Sequence, residues 1–399
     1  MSSNTQYLSR LLRKLQEFRE QAGLERVHVE RQLILGPGWV RAVETGEIIP
    51  SLDVVASLLS VYGKTLEELA EDAERGEPHI QRSLTAEQAE GGINVLFDYG
   101  RHDAKYFLGG ATAEEFEAVI LTLRDGLAQL RDLEEGEEAG EDAERAKSIK
   151  TNSVADAFLK AVALWPEANP SDIWWFIVYR AYCDPYNHPS SHARLDFSQS
   201  WKRTAGWALE RVLERHYGAK LREHGINLVI ADGERKVRLL LGVNVVGHRL
   251  EADKMDVLLT VGQDVNEKLI GVVHVKASFA ERRTDDVPMS HALVGAGYIS
   301  PLWTMDCKSG PSAKPVNRGE LGKTFDGSGV DTRSAKRKDI EDDGYFSACF
   351  SYNQNTKQTP EGYQTAAAKV VSCNFKNPED AFLEFILTAR EALRARLGF

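Results

Sequence analysis

A chain of 399 residues is too long for one ordinary domain, and two or three are expected. Hydrophobic residues at 42% and charged residues at 27% exclude wholesale disorder, and no apolar run is long enough to cross a membrane. Four scattered cysteines without a CxxC pair exclude a zinc ribbon or disulfide scaffold and suit reduced thiols in the cytoplasm; a net charge of −11, taken globally, argues against a nucleic-acid partner.

The first 75 residues read as short helices. Leu8, Leu11, Leu12, Leu15 and Phe18 recur at helical spacing and make one apolar face, ended by Gly23. A short helix follows near 27–33, then an LGPG turn at 35–38. WVRAVETGE (39–47) continues as a third helix, and Pro50-Ser51-Leu52 opens a fourth. Residues 76–150 read as a helical connector, with a possible strand at 92–100 and a helix at 112–131. It ends in DLEEGEEAGEDAE (132–144), eight acids without a base, a solvated linker or helix tail. Residues 151–399 form the larger unit. Helices are predicted at 152–164, 171–182, 198–224 and 378–397, and strands at 226–231, 237–246, 255–261, 269–278, 299–305 and 345–352. Residues 307–343, rich in Gly, Pro, Lys and Arg, read as a long functional loop. One face of the last helix carries Phe382, Phe385, Ile386, Ala389, Leu393 and Leu397, which suits core packing better than an interface.

Val40, Val43-Glu44, Gly46, Pro50-Ser51-Leu52, the helix 55–62 and the pair Leu66 and Leu69 form a pattern that resembles the helix-turn-helix of phage-repressor type. The resemblance implies a helix in the major groove presenting Trp39 and Arg41. Base-edge readers are scarce on that helix, so a protein-binding or dimerising role stands beside the DNA-binding one.

The segment KMDVLLTVGQDVNEKLIGVVHVKASFAERR (254–283) carries the chemistry. Two apolar runs joined by a turn predict a hairpin that brings Asp256, at the start of one strand, to Lys276, near the end of the other. A carboxylate can hold a hard cation such as Mg²⁺, and a lysine can steady or deprotonate a water and balance phosphate charge. This arrangement resembles the PD-(D/E)XK nuclease core of type II restriction endonucleases, with Asp256 as the first acid and His274-Val275-Lys276 as the triplet. Met255 replaces the usual Pro, and His274 replaces the usual acid. In some members that acid moves to a neighbouring helix. The resemblance therefore implies a substitute metal ligand, Glu281 first and Glu210 second. KASFAERR (276–283) resembles the Lys-(Thr/Ala)-Ser-x-x-Glu-Arg run of such enzymes, which draws Ser278, Arg282 and Arg283 towards DNA. A second triplet, Asp306-Cys307-Lys308 with Asp286 upstream, ranks lower because Asp286 reads as part of a loop.

Between 307 and 338 eight bases face three acids: Lys308, Lys314, Arg318, Lys323, Arg333, Lys336, Arg337 and Lys338 against Glu320, Asp326 and Asp331. Beside a nuclease hairpin such a run suits phosphate contact, with Asn317, Asn353, Gln354 and Asn355 as possible base readers. The stretch from 276 to about 355 also looks like the ApaLI-type restriction endonucleases, which would imply a GTGCAC target. The expected fold is α/β, a mixed sheet flanked by helices, with an all-α helix-turn-helix domain before it. The expected function is Mg²⁺-dependent cleavage of double-stranded DNA by a cytoplasmic homodimer, without membrane contact. The rival reading is a transcription regulator with a ligand-sensing C-terminal domain.

Overall fold

The computed structural model describes residues 3–45, 47–69, 84–99, 102–132, 141–183, 197–230, 233–241, 243, 245, 252, 255–279, 283–308, 314–325 and 330–397. The chain divides near residue 82 into two units, each with its own apolar core.

In the smaller unit α1 (Ser3–Gln21), α2 (Arg26–Gln32), α3 (Trp39–Glu44) and α4 (Leu52–Tyr62) are followed by a helical turn at 66–69. Leu12, Leu15 and Phe18 of α1 bury against Val29, Val40, Val43, Leu58, Leu59, Tyr62 and Leu69, as the helical spacing predicts. The short α3 starts from Gly38 and α4 stops at Gly63, both at positive φ, where a side chain would be strained. The Glu44 carboxylate is buried and takes hydrogen bonds from Arg19 Nε at 2.5 Å and Arg26 Nε at 2.6 Å. Removing one partner of so enclosed a pair costs about 3–5 kcal/mol. Glu30, also buried, accepts from the Val40 amide at 3.0 Å and ties α2 to α3.

The larger unit begins with an antiparallel meander of β1 (Leu84–Ala89), β2 (Gly92–Tyr99) and β3 (His102–Gly109). Helix α5 (Ala113–Ala128) follows, opened by a capping box in which Thr112 and Glu115 satisfy each other's amides, a device worth about 1 kcal/mol. Three long helices come next, α6 (Glu141–Leu164), α7 (Pro170–Cys183) and α8 (Phe197–Glu223). A six-stranded sheet follows in the order β4 (Ile226–Val229), β5 (Val257–Val261), β6 (Lys268–Lys276), β7 (Leu302–Thr304), β8 (Cys349–Ser351) and β9 (Val370–Ser372). It is antiparallel through β4–β6 and parallel from β6 to β9. Helices α9 (Gly233–Leu241), α10 (Arg283–Gly295), α11 (Ala335–Glu341) and α12 (Ala381–Leu397) complete the unit.

The pleat of the sheet divides its side chains between two cores. Val257, Leu259, Val261, Val273 and Val275 join the core shared with α5–α8 and α12; Leu258 and Val272 join Leu239 and Leu240 of α9 and Met289 and Leu293 of α10. Asp256, His274 and Lys276 continue the second set, so the sequence places them on the α9/α10 side. Phe382, Ile386 and Leu393 of α12 lie in the main core. Among the described residues no helix is long and apolar enough to cross a membrane.

The structure departs from the sequence reading at several elements. The run 237–246, expected as a strand, gives α9 over Gly233–Leu241; the amphipathic alternation of Arg235, Lys236 and Arg238 with Leu239 and Leu240 is helical, and Gly233 opens it. Strands β1, β3 and β9 are additions. The 84–132 segment, read as part of a connector, shares the main core through Ile93, Val95, Phe116, Val119 and Leu123. The end of the acidic run, from Glu141 onward, belongs to α6. Within 307–343 the described residues include α11 and a bridge between Gly322 and Arg333.

Candidate active site

Asp256 stands one residue ahead of β5, where the antiparallel ladder with β6 opens at the pair Val257 and Val273. Its side chain supplies the link that the ladder lacks: Oδ2 accepts from the Val275 amide at 2.8 Å. The same oxygen takes a 2.6 Å bond from Lys276 Nζ, and both residues are 8% exposed. The hairpin thus joins the two residues that the sequence brought together.

A third charged group completes this centre. Asp286, on the first turns of α10, is 2% exposed and sets Oδ2 3.3 Å from Lys276 Nζ. Its Oδ1 lies 3.8 Å from Nδ1 of His274. Burial opposes ionisation of Asp286, but His274 and Lys276 outweigh it and hold the carboxyl below its usual range. His274 is fully buried and meets the Ser300 hydroxyl at 3.0 Å through Nε2; that hydroxyl pairs with Ser290 of α10 at 2.7 Å. His274 therefore occupies the strand position expected for an acid, and an acid from the adjacent helix faces the lysine instead. Sequence reasoning named Asp286 only as the partner of a second triplet. The signal that could have found it was its place ten positions after Lys276, within one helix of the hairpin.

Asp306, the acid of that second triplet, has another duty. It is fully buried and accepts from the amides of Glu320 and Leu321 and from the Thr356 hydroxyl, while Gly319 lies so close that a Cβ there would fall 2.3 Å from Asp306 Oδ2. Burial pushes this carboxyl up to about 6.

Glu210 projects half-buried from α8. Burial first, and then the charge of Asp256, push its carboxyl well above the usual range, while Lys236 and Lys276 pull it back. Lys236, on α9, is 7% exposed and donates to the carbonyl oxygens of Met255 and Asp256, each at 2.7 Å. Glu281 and Arg282 lie outside the described residues, and Arg283 is the first residue of α10. Ser278 is half-buried just beyond β6.

No group of three His, Cys, Asp or Glu side chains is drawn together as a ready metal cage among the described residues. What exists is a donor set with the right chemistry: two carboxylates, Glu210 and Asp256, with the charge of Asp256 near enough to add to the cost of ionising Glu210. A hard divalent cation relieves such crowding, so the residues fit an oxygen-bound metal.

The basic segment is not uniformly open. Lys308, Arg318 and Lys323 are exposed. Arg333 is held by Asp331, Glu341 and Asp342, Lys336 by Glu320 and Lys338 by Asp331. Arg337 is fully buried with its Nε 2.9 Å from Glu341. The face expected to meet phosphate on α11 is thus turned inward at Arg337. Asn317 and Asn353, considered as base readers, are buried and committed: Asn317 bonds Ser171 and Asp172, and Asn353 bonds the carbonyls of Asp306 and Asn317. In the smaller unit Trp39 is half-buried against the core, and Arg41 is exposed 3.5 Å from Glu47.

Comparison with known proteins follows this division. The helix-turn-helix domain family matches residues 10–73. The type II restriction enzyme AgeI of Thalassovita gelatinovora is 36% identical over 252 residues, 61% of this chain and 85% of that protein. The chain belongs to the type II restriction enzymes. As such it is a site-specific deoxyribonuclease, and restriction enzymes of this type generally work with a divalent metal. The solved complex of AgeI with its specific DNA is similar at 31% identity and a TM-score of 0.58, covering 74% of this chain and 99% of that one. A BsaWI–DNA complex, at 16% identity and a TM-score of 0.33, is too distant to carry an argument. For this restriction enzyme the α/β body with a helix-turn-helix unit before it agrees with the sequence reading.

Proposed function

We propose that this restriction enzyme hydrolyses both strands of a palindromic DNA site with Mg²⁺, as a homodimer, at the centre formed by Asp256, Lys276, Asp286 and Glu210. The observation that carries the reading is the 2.6 Å pair of Asp256 and Lys276, with Asp286 beside it on α10. The DNA in the AgeI complex supports the choice of substrate.

Asp256 and Glu210 would hold the metal, with Asp286 as the carboxylate that replaces the missing acid of the triplet. When bound, the metal would stabilise negative charge on the phosphate during attack. Lys276 orients a water against the scissile phosphorus and offsets its developing charge. Asp286 stands beside the lysine and aims it. The His274–Ser300 bond fixes the imidazole behind that carboxylate, and the flanking apolar cores keep bulk water from the far side. Exposed Lys308, Arg318 and Lys323, with Arg282 and Arg283, are the proposed grips on DNA. Trp39 and Arg41 belong to a separate unit, whose contact with DNA is a further part of the proposal. The GTGCAC target rests on the ApaLI-type likeness of 276–355 alone.

The deciding experiment is digestion of unmethylated plasmid and genomic DNA with and without Mg²⁺, beside Asp256→Ala and Lys276→Ala. Discrete fragments in the wild type and none in either variant are expected, and end-sequencing reads the site. Operator-like binding without any cleavage would favour the transcription regulator instead.

A further inference from the structure

The nuclease centre contains a second buried lysine for which the chemistry above has no use. Lys236 comes from α9, twenty positions before Asp256, and its ammonium is 7% exposed. Burying an ammonium costs several kcal/mol unless its donors are met, so this is not a solvent-facing lysine folded back by chance. Two of its donors are accounted for, at 2.7 Å to Met255 O and 2.7 Å to Asp256 O.

Those two carbonyls are the ones that need an outside partner. Residues 255 and 256 precede β5, so the ladder with β6 does not fix them. The Asp256 side chain is anchored on one side, by the Val275 amide and Lys276. Its main chain is anchored on the other, by Lys236. The charge of Lys236 also bears on both Glu210 and Asp256, the two carboxylates proposed to share a metal.

Resting on the proposed nuclease site, we infer that Lys236 is a positioning residue, which clamps the peptide of Asp256 so that its carboxylate faces Lys276 and the scissile phosphate. The clamp explains how an acid outside the strand can be held as firmly as one within it. Displacement of a reacting group by about 1 Å can cost about 100-fold in rate, which sets the effect to look for.

The test compares Lys236→Met and Lys236→Arg in the full chain. The expected result for Lys236→Met is a single-turnover cleavage rate lower by about 100-fold. Affinity for cognate DNA, measured with Ca²⁺ in place of Mg²⁺, should stay within about threefold, because the clamp acts on orientation and not on grip. A metal-free reading is provided by carbonyl-¹³C methionine: the chain has four methionines, and the Met255 carbonyl line should move in Lys236→Ala, which adds none, while those of Met289 and Met305 stay. A small amine such as ethylammonium should restore part of the rate to Lys236→Ala and none to Lys276→Ala.

A folded Lys236→Met that cleaves at the wild-type rate would overturn the inference. So would parallel loss of melting temperature, affinity and rate, which marks a plain structural staple. If Lys236→Met does not fold, Lys236→Arg decides: folded and slow supports the clamp, folded and unimpaired ends it. Full cleavage by Asp256→Ala or Lys276→Ala would instead sink the nuclease site itself.

Discussion

Lys276 Nζ and Asp286 Oδ2 stand 3.3 Å apart, one at the end of a strand and the other on the helix that follows it. In the proposed site the pair places the second acid on the helix instead of the strand, within reach of the lysine. Asp286→Asn is expected to keep the fold and reduce Mg²⁺-dependent cleavage by about 100-fold or more, the scale of losing one well-placed charge in a water-poor site. Single-turnover kinetics beside Glu281→Gln check it; loss in the Glu281 variant alone would return the ligand to Glu281.

Arg337 and Glu341 pair inside the protein, while Arg318 and Lys323 are exposed. Glu341→Ala should therefore destabilise the chain by about 3–5 kcal/mol, since it strands a buried guanidinium. Arg318→Ala and Lys323→Ala should leave the melting temperature unchanged and lower the slope of log affinity against log salt by about one each. Thermal melts and binding at several salt concentrations separate the two classes. A wild-type salt slope in both surface variants would remove them from the DNA interface.

His216 of α8 lies edge-on to Tyr217 and Phe375, and burial pulls its imidazole down to about 4. Between pH 6.5 and 4 the unfolded chain binds this proton and the folded chain does not. The stability tied to the neutral ring is thus complete above pH 6.5 and lost as the pH falls towards 4, by about 3 kcal/mol in all. Denaturant melts should show the loss in the wild type. His216→Phe, which keeps an aromatic ring there, should show a correspondingly shallower decline.

The two units have separate cores. A chain beginning at residue 82 should fold with the melting behaviour of the larger unit and cleave cognate DNA at close to the full rate. Circular dichroism and plasmid digestion test this. Loss of cleavage in a folded truncation would give the helix-turn-helix unit a part in catalysis.

The hairpin was legible because β5 and β6 are buried on both faces: two apolar runs around a polar turn leave Asp256 and Lys276 as the conspicuous charges. The helix-turn-helix was legible from Glu44, Gly46 and the buried valines, whose spacing is set by local geometry. Asp286 was not, because its significance lies in a contact between α10 and β6 that no periodicity encodes. Arg337 was misleading for a related reason: composition counts its charge but cannot see Glu341 one helical turn away. VRLLLG was ambiguous as a short apolar run; in the helix Leu239 and Leu240 are buried together with Lys236, while Val237 and Leu241 are exposed.

Asp306 gathers the amides of Glu320 and Leu321, the Thr356 hydroxyl and the close approach of Gly319 at one buried point. The chain that departs at Cys307 is therefore returned to a fixed place fourteen residues later, with Asn317 bonded to Ser171 and Asp172 shortly before. Under selection for new targets, such a tether lets the sequence before Val316 drift, lengthen or change charge while the hairpin of β5 and β6 stays as it was. In the laboratory the same knot marks natural borders for a library: positions 309–315 can be diversified, with Asp306, Val316, Asn317, Gly319 and Thr356 left untouched.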